Sequence, residues 1–216
     1  MLLSDRILFI DAEALVLDKP AGLPVDAPRR GGDSIASRLD DLKQGFRRPP
    51  TAMHRLDTDT SGCLLFARTA KARARFQKAF ESRLVEKYYL AVVAGEIAEE
   101  SGTIDLPLGK KSSVEAGWRM VGDKHGLDAT TRWRRLAVRD GATLVEFQPL
   151  TGRTHQIRAH AREAFGRGII GDRVYGIPGG PMLLHAVRLV VPREGRDAID
   201  VTAPLPDYFQ DWGDEA

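Results

Sequence analysis

The chain has 216 residues, 43% of them apolar, and a formal net charge of +2, which suffices for a substantial core and excludes a disordered chain. It contains no apolar run long enough to span a bilayer, and Met1-Leu2-Leu3-Ser4-Asp5-Arg6 meets acid and base too early for a secretory leader, so a soluble, cytoplasmic protein is expected. One cysteine, Cys63, excludes an internal disulfide framework, and five histidines without metal-ligand spacing predict no metal site.

In chain order, Ile7–Ile10 and Ala14–Asp18 read as a strand pair around an Asp-Ala-Glu turn, and Lys19 to Pro24 breaks the pattern with Pro and Gly. Ser34 can cap a short helix through about Lys43, which Gly45 and Pro49-Pro50 end. Leu64–Arg68 reads as a buried strand. Thr69 can cap an amphipathic helix from Ala70 to about Arg83, with Ala72, Phe76, Ala79 and Phe80 on its apolar face. Lys87–Gly95 is the clearest strand, rich in β-branched and aromatic residues. Further strands are expected at Gly102–Leu106, Thr130–Val138, Thr143–Leu150, Leu183–Val191 and Ala198–Val201, with a mobile, Gly-rich charged stretch over Gly109–Leu127. Thr154 can cap a helix from His155 to about Phe165. Helices that do not alternate regularly with strands indicate an α+β fold with mainly antiparallel strands.

The positive charge is segregated. Residues 67–87 carry seven Lys/Arg against two acids, residues 108–139 carry eight against three, and Pro206–Ala216 has acids but no base. A polyanion-binding face and ordinary solvated helix faces both fit this pattern.

Three constellations carry chemistry. In His54-Arg55-Leu56-Asp57-Thr58-Asp59-Thr60-Ser61-Gly62, Asp57 fits either a turn-capping residue or a nucleophile, since a carboxylate beside guanidinium groups stays ionised. In Thr151-Gly152-Arg153-Thr154-His155-Gln156-Ile157-Arg158, a glycine turn leads into a helix N-terminus beside Arg153, which suits phosphate. At Lys87-Tyr88-Tyr89 one tyrosine should enter the core and the other face a cleft, where it offers stacking for an unpaired base. The Gly166–Gly180 segment lacks nucleotide-binding spacing, so no cofactor is expected.

Taken in order with Leu17-Asp18-Lys19-Pro20-Ala21-Gly22-Leu23, Gly171-Asp172-Arg173-Val174-Tyr175-Gly176 and Leu183-Leu184-His185-Ala186, these motifs cover residues 7 to 205 and resemble the RluA-type pseudouridine synthases. The resemblance implies a mixed, mainly antiparallel sheet in two halves with helices packed on it and a central catalytic cleft. It implies a single catalytic domain over 1–216 that lacks an N-terminal S4 domain and ends in a short acidic tail from about residue 206. It also implies isomerisation of uridine in a ribosomal or transfer RNA stem-loop by a monomer without cofactor or metal. By resemblance Asp57 is the nucleophile, toward either the ribose C1′ or the uracil ring, Tyr89 lies against the uracil, and Arg158 orients Asp57. Arg55 would hold the flipped nucleotide, with RNA contacts from His54, Thr60, Arg153, Thr154 and His155. Target-specific contacts are expected from Asp26–Gly32 and Gly109–Leu127. An idle RNA-binding factor fits less well, because binding alone does not call for a carboxylate in a basic site. A glycoside hydrolase would need two flanking acids.

Overall fold

The computed structural model describes residues 2–113 and 117–213. The strands and helices, in chain order, are β1 (Ile7–Ile10), β2 (Ala14–Lys19), β3 (Thr51–Ala52), β4 (Ser61–Ala67), α1 (Ala70–Glu81), β5 (Glu86–Ala94), β6 (Ser101–Asp105), β7 (Leu108–Ser113), β8 (Gly117–Gly122), β9 (Thr130–Arg139), β10 (Ala142–Pro149), α2 (Gln156–Phe165), β11 (Leu184–Val191) and β12 (Ile199–Thr202). The α+β class read from the sequence is the one observed. The chain folds as two compact units, residues 1–87 with 186–204, and residues 88–185 with 205–216.

In the first unit the strand order is β1-β2-β4-β11, with β3 added to β4 and β12 to β11. The turn between β1 and β2 is set by Asp11, whose Oδ1 accepts from the amides of Glu13 and Ala14, both at 2.8 Å. β2 and β4 run antiparallel in register from Ala14↔Ala67 to Lys19↔Gly62, and both are buried throughout. Such a pair reads in sequence as an apolar run without alternation. Thr69 caps α1 as expected, its Oγ1 accepting from the Ala72 amide at 3.1 Å. Ala72, Phe76 and Ala79 pack into a core with Val16, Leu65, Leu189 and Val201. The helix stops at Glu81, short of the expected Arg83, because Arg83 takes a left-handed conformation with φ +56°. The segment expected as a helix after Ser34 is a 3-10 helix, Ala36–Leu42, kinked at Arg38.

The second unit is built on the antiparallel order β5-β10-β9-β6. Phe165, the last residue of α2, meets the Trp133 ring of β9 edge-on at 5.0 Å. The stretch expected to be mobile over Gly109–Leu127 instead carries the hairpin β7–β8, paired from Leu108↔Gly122 to Ser113↔Gly117, with residues 114–116 outside the described residues. Only Leu108 of β7 is buried, so this hairpin shows none of the apolar alternation that betrays a half-buried strand. Of the expected acidic tail, Asp207–Trp212 is a 3-10 helix that buries Phe209 and Trp212, while residues 214–216 lie outside the described residues.

Thr154 does not cap α2. His155 takes the N-cap position in a left-handed conformation, φ +53°, without a side-chain cap, and ahead of the helix the Gln156 Oε1 accepts from the Arg153 amide at 2.9 Å and the Thr151 hydroxyl at 2.7 Å. The amide of Arg153 is therefore occupied within the chain.

Candidate active site

In the first unit the chain between β3 and β4 presents Asp57 on a short turn. Leu56 is buried beneath it, and the Thr60 amide donates to the Asp57 carbonyl at 3.1 Å, closing the turn. Two groups from the end of β2 fasten this turn. The Gly22 amide donates to the Thr58 carbonyl at 2.9 Å. Lys19, whose side chain is completely buried, donates from Nζ to the carbonyls of Thr58 (2.9 Å), Pro20 (2.8 Å) and Leu23 (2.8 Å). An ammonium has three N–H donors, and here each has a carbonyl. Burial pulls the Lys19 pKa down to about 8 against the opposing pull of Asp59, Asp57 and Asp18.

Gly62 closes the motif with φ +104°, and a Cβ there would lie 2.3 Å from the Ala186 carbonyl oxygen. Only glycine permits that approach of β4 to β11. Thr60 is buried, and Asp57 is partly exposed. Arg55 is exposed and lies 3.2 Å from the Asp26 carboxylate, itself exposed. His54 turns inward instead: its Nε2 accepts from the Leu65 amide at 3.1 Å, and its ring meets Phe80 at 5.4 Å. Burial, reinforced by Lys87, lowers its pKa to about 3, so His54 is a neutral acceptor at physiological pH.

The second unit carries the remaining candidates. Tyr89 is buried opposite Phe147 in the β5–β10 ladder, while Tyr88 is half-buried and accepts from Gln148 Nε2 at 3.2 Å. Tyr89 is thus the more buried of the two, and the strand stays buried from Tyr89 onward. On α2, Arg158 is buried and donates from Nε and a terminal nitrogen to both oxygens of Asp172, at 2.7 and 2.8 Å. Asp172 is fully buried and also accepts from the amides of Val174 (2.8 Å) and Tyr175 (3.2 Å). Burial works against its charge, but Arg158 and these amides outweigh it and hold the carboxyl below its ordinary pKa.

Tyr175 lies under the Arg158 guanidinium, with 5.2 Å from ring centre to Cζ. Its hydroxyl accepts from the Met120 amide at 2.7 Å and contacts His155 Nδ1 at 3.0 Å. The other side of this group is the hairpin: Trp118 stacks on His155 with centroids 4.8 Å apart. Thr154 is exposed, and Arg153 donates from Nε to the Asp128 carbonyl at 2.8 Å.

The first unit thus gathers His54, Arg55, Asp57 and Thr60, and the second gathers Tyr89, Arg153, Thr154, His155 and Arg158. Sequence reasoning assigned no role to Lys19 or Asp172. The signal for Lys19 was a lysine closing an apolar strand, Leu15-Val16-Leu17-Asp18-Lys19, where only a fully bonded ammonium is tolerated. Asp172 gave no comparable local signal, since its partner lies fourteen residues away. Chemically, the first unit offers a carboxylate on a rigid turn and the second a phenol and a fixed guanidinium, groups suited to nucleophilic attack and proton transfer.

Comparison with known proteins gives the same direction. The sequence profile of the RNA pseudouridylate synthase family matches residues 13–163. The chain is 47% identical to an uncharacterized RNA pseudouridine synthase of Zymomonas mobilis, over 98% of this chain and 99% of that protein. It is 33% identical to the ribosomal large subunit pseudouridine synthase C of Rickettsia bellii, over 95% of this chain and 70% of that protein. Among solved structures, human RNA pseudouridylate synthase domain containing 4 superposes with a TM-score of 0.80 at 26% identity, covering 96% of this chain and 91% of that one.

Proposed function

Because the chain belongs to the RNA pseudouridylate synthase family and is an isomerase of that kind, we propose that it converts specific uridines of ribosomal or transfer RNA to pseudouridine with Asp57 as nucleophile. The observation that carries the assignment is the turn itself. A buried ammonium donates to the Thr58 carbonyl of the turn and to the Pro20 and Leu23 carbonyls of the segment after β2, fastening the turn that carries the partly exposed Asp57 side chain. The name of the Rickettsia relative makes large-subunit ribosomal RNA the first substrate to try.

In the proposed reaction the C1′–N1 bond of a flipped uridine breaks, the uracil turns, and C5 bonds to C1′. The C5 proton leaves and N1 gains a proton, so no co-reactant is consumed. Asp57 forms the covalent bond that holds one fragment during the turn, and that bond breaks to return the free carboxylate once C5 is joined to C1′. Tyr89 packs against the uracil and takes part in moving the C5 proton. Arg158, fixed by Asp172, positions the Asp57 carboxylate. Exposed Arg55 and the phosphate-facing side chains of Arg153 and Thr154 hold the extruded nucleotide, with His54, Thr60 and His155 shaping the surfaces around it.

Tritium release from RNA labelled at uracil C5 measures the reaction directly. The wild type releases tritium, and Asp57→Asn releases none while binding the same RNA within a few fold. Turnover retained by Asp57→Asn would remove Asp57 from the chemistry.

A further inference from the structure

Several arginines of the first unit are neutralised within it. Arg6, Arg38, Arg75 and Arg193 each face a carboxylate, those of Asp18, Asp33, Glu13 and Asp11. Arg47 and Arg48, on the connection into β3, are exposed and enter no ion pair among the described residues. With Phe46, Arg68, Thr69 and Ala70 they line an open concavity of about 430 Å³.

Arg68 is fixed in this wall. Its guanidinium donates to the carbonyls of Asp11 (2.6 Å), Lys43 (3.2 Å) and Gln44 (2.8 Å) and lies 3.9 Å over the Phe46 ring. Its acceptors are carbonyl dipoles, so its charge is not cancelled by them. The carboxylate whose charge reaches it, Asp11, is already bonded to Arg193 and to the amides of Glu13 and Ala14.

The wall continues into the first turn of α1, which holds Lys71 and Arg73 and no acid. Cations at the positive end of a helix each cost about 0.3–1 kcal/mol. A surface shaped for stability alone would place Asp or Glu there. This one instead collects five cations, Arg47, Arg48, Arg68, Lys71 and Arg73, in and around a concavity. The seven residues of β4 run from the end of the Asp57 motif to this place, about 23 Å at the rise of an extended strand.

We infer that this concavity binds the phosphodiester backbone of the substrate RNA away from the target uridine, with Arg47 and Arg48 as its exposed phosphate ligands and Arg68 as its fixed wall. The inference rests on the proposed RNA substrate and extends it to a second point of attachment. Arginine forks suit phosphate oxygens.

The test is the salt dependence of binding to bulk transfer RNA and to purified ribosomal RNA, measured by anisotropy with the full chain. Arg47→Ala/Arg48→Ala should bind about tenfold more weakly at low salt. The slope of log K against log salt should fall by about 1.4 to 1.8, the release expected for two lost phosphate contacts. Its thermal midpoint should stay at the wild-type value. Removing two ion-paired surface arginines in Arg134→Ala/Arg188→Ala controls for net charge and should leave the slope nearly unchanged. A wild-type slope in Arg47→Ala/Arg48→Ala, or an equal drop in the control, overturns the site. Absence of tritium release by the wild type would refute the proposed activity, and the binding comparison would still judge the concavity.

Discussion

The turn that carries Asp57 and the cluster that carries Arg158 are rigid for different reasons. In the first unit, rigidity comes from backbone: Lys19 and Gly22 hold main-chain carbonyls, and Gly62 admits a close strand approach. The Asp57 side chain on that turn is partly exposed. In the second unit, rigidity comes from side chains: Asp172 grips Arg158 at two points, Tyr175 lies under the guanidinium, and His155 and Trp118 pack in turn beyond Tyr175. The first arrangement suits a group that must change covalent state during a reaction. The second suits a charge that must stay where it is.

Breaking the side-chain arrangement should cost the most. Asp172→Asn leaves the buried Arg158 guanidinium without its counter-charge, so a loss of about 3–5 kcal/mol is expected in urea unfolding, with tritium release falling in parallel. A change under about 1 kcal/mol would mean that the pair is not what fixes Arg158. Tyr89→Phe keeps the ring in the β5–β10 ladder but removes the hydroxyl. Its kcat should drop by about a hundredfold with little change in stability, and an unchanged kcat would restrict Tyr89 to packing.

Lys19→Met tests the backbone arrangement. It strips the donor from three carbonyls, so a loss of about 3 kcal/mol or less is expected, with kcat reduced because the Asp57 turn relaxes. Full activity in a stably folded Lys19→Met protein would show that the turn holds itself.

The smallest expected effect is on pH. Burial lowers the pKa of Lys19, and of Lys87, from 10.5 to about 8. Between these limits the unfolded chain keeps protons that the folded chain has lost, so the contribution of both lysines to stability rises with pH. A neutral Lys19 amine, however, has two N–H donors for three carbonyls. Activity should therefore decline above about pH 8 while these lysines do not lower the thermal midpoint. Activity and midpoint falling together from that pH would break the distinction between holding the turn and holding the fold.

Much of the fold was legible because its signals are local. The β1–β2 pair, the capped helix after Thr69 and the strand at Tyr88-Tyr89 follow from apolar runs, a threonine cap and a β-branched, aromatic-rich segment. The hairpin β7–β8 was not legible, since a solvated ladder buries only Leu108 of its first strand. Thr154 does not cap α2 because a left-handed histidine takes the N-cap position and starts the helix one residue later. In the candidate site the aspartate and the tyrosine could be picked out by motif. Their supports, Lys19 and Asp172, act through contacts that chain order does not display: one reaches a carbonyl 39 residues away, and the other completes a buried ion pair with α2.

The most direct measurement is nucleotide-resolution pseudouridine mapping of total RNA from cells that carry either the wild-type chain or Asp57→Asn in its place. The account predicts at least one uridine in ribosomal or transfer RNA converted only in the wild-type cells. Identical maps from the two strains would contradict it.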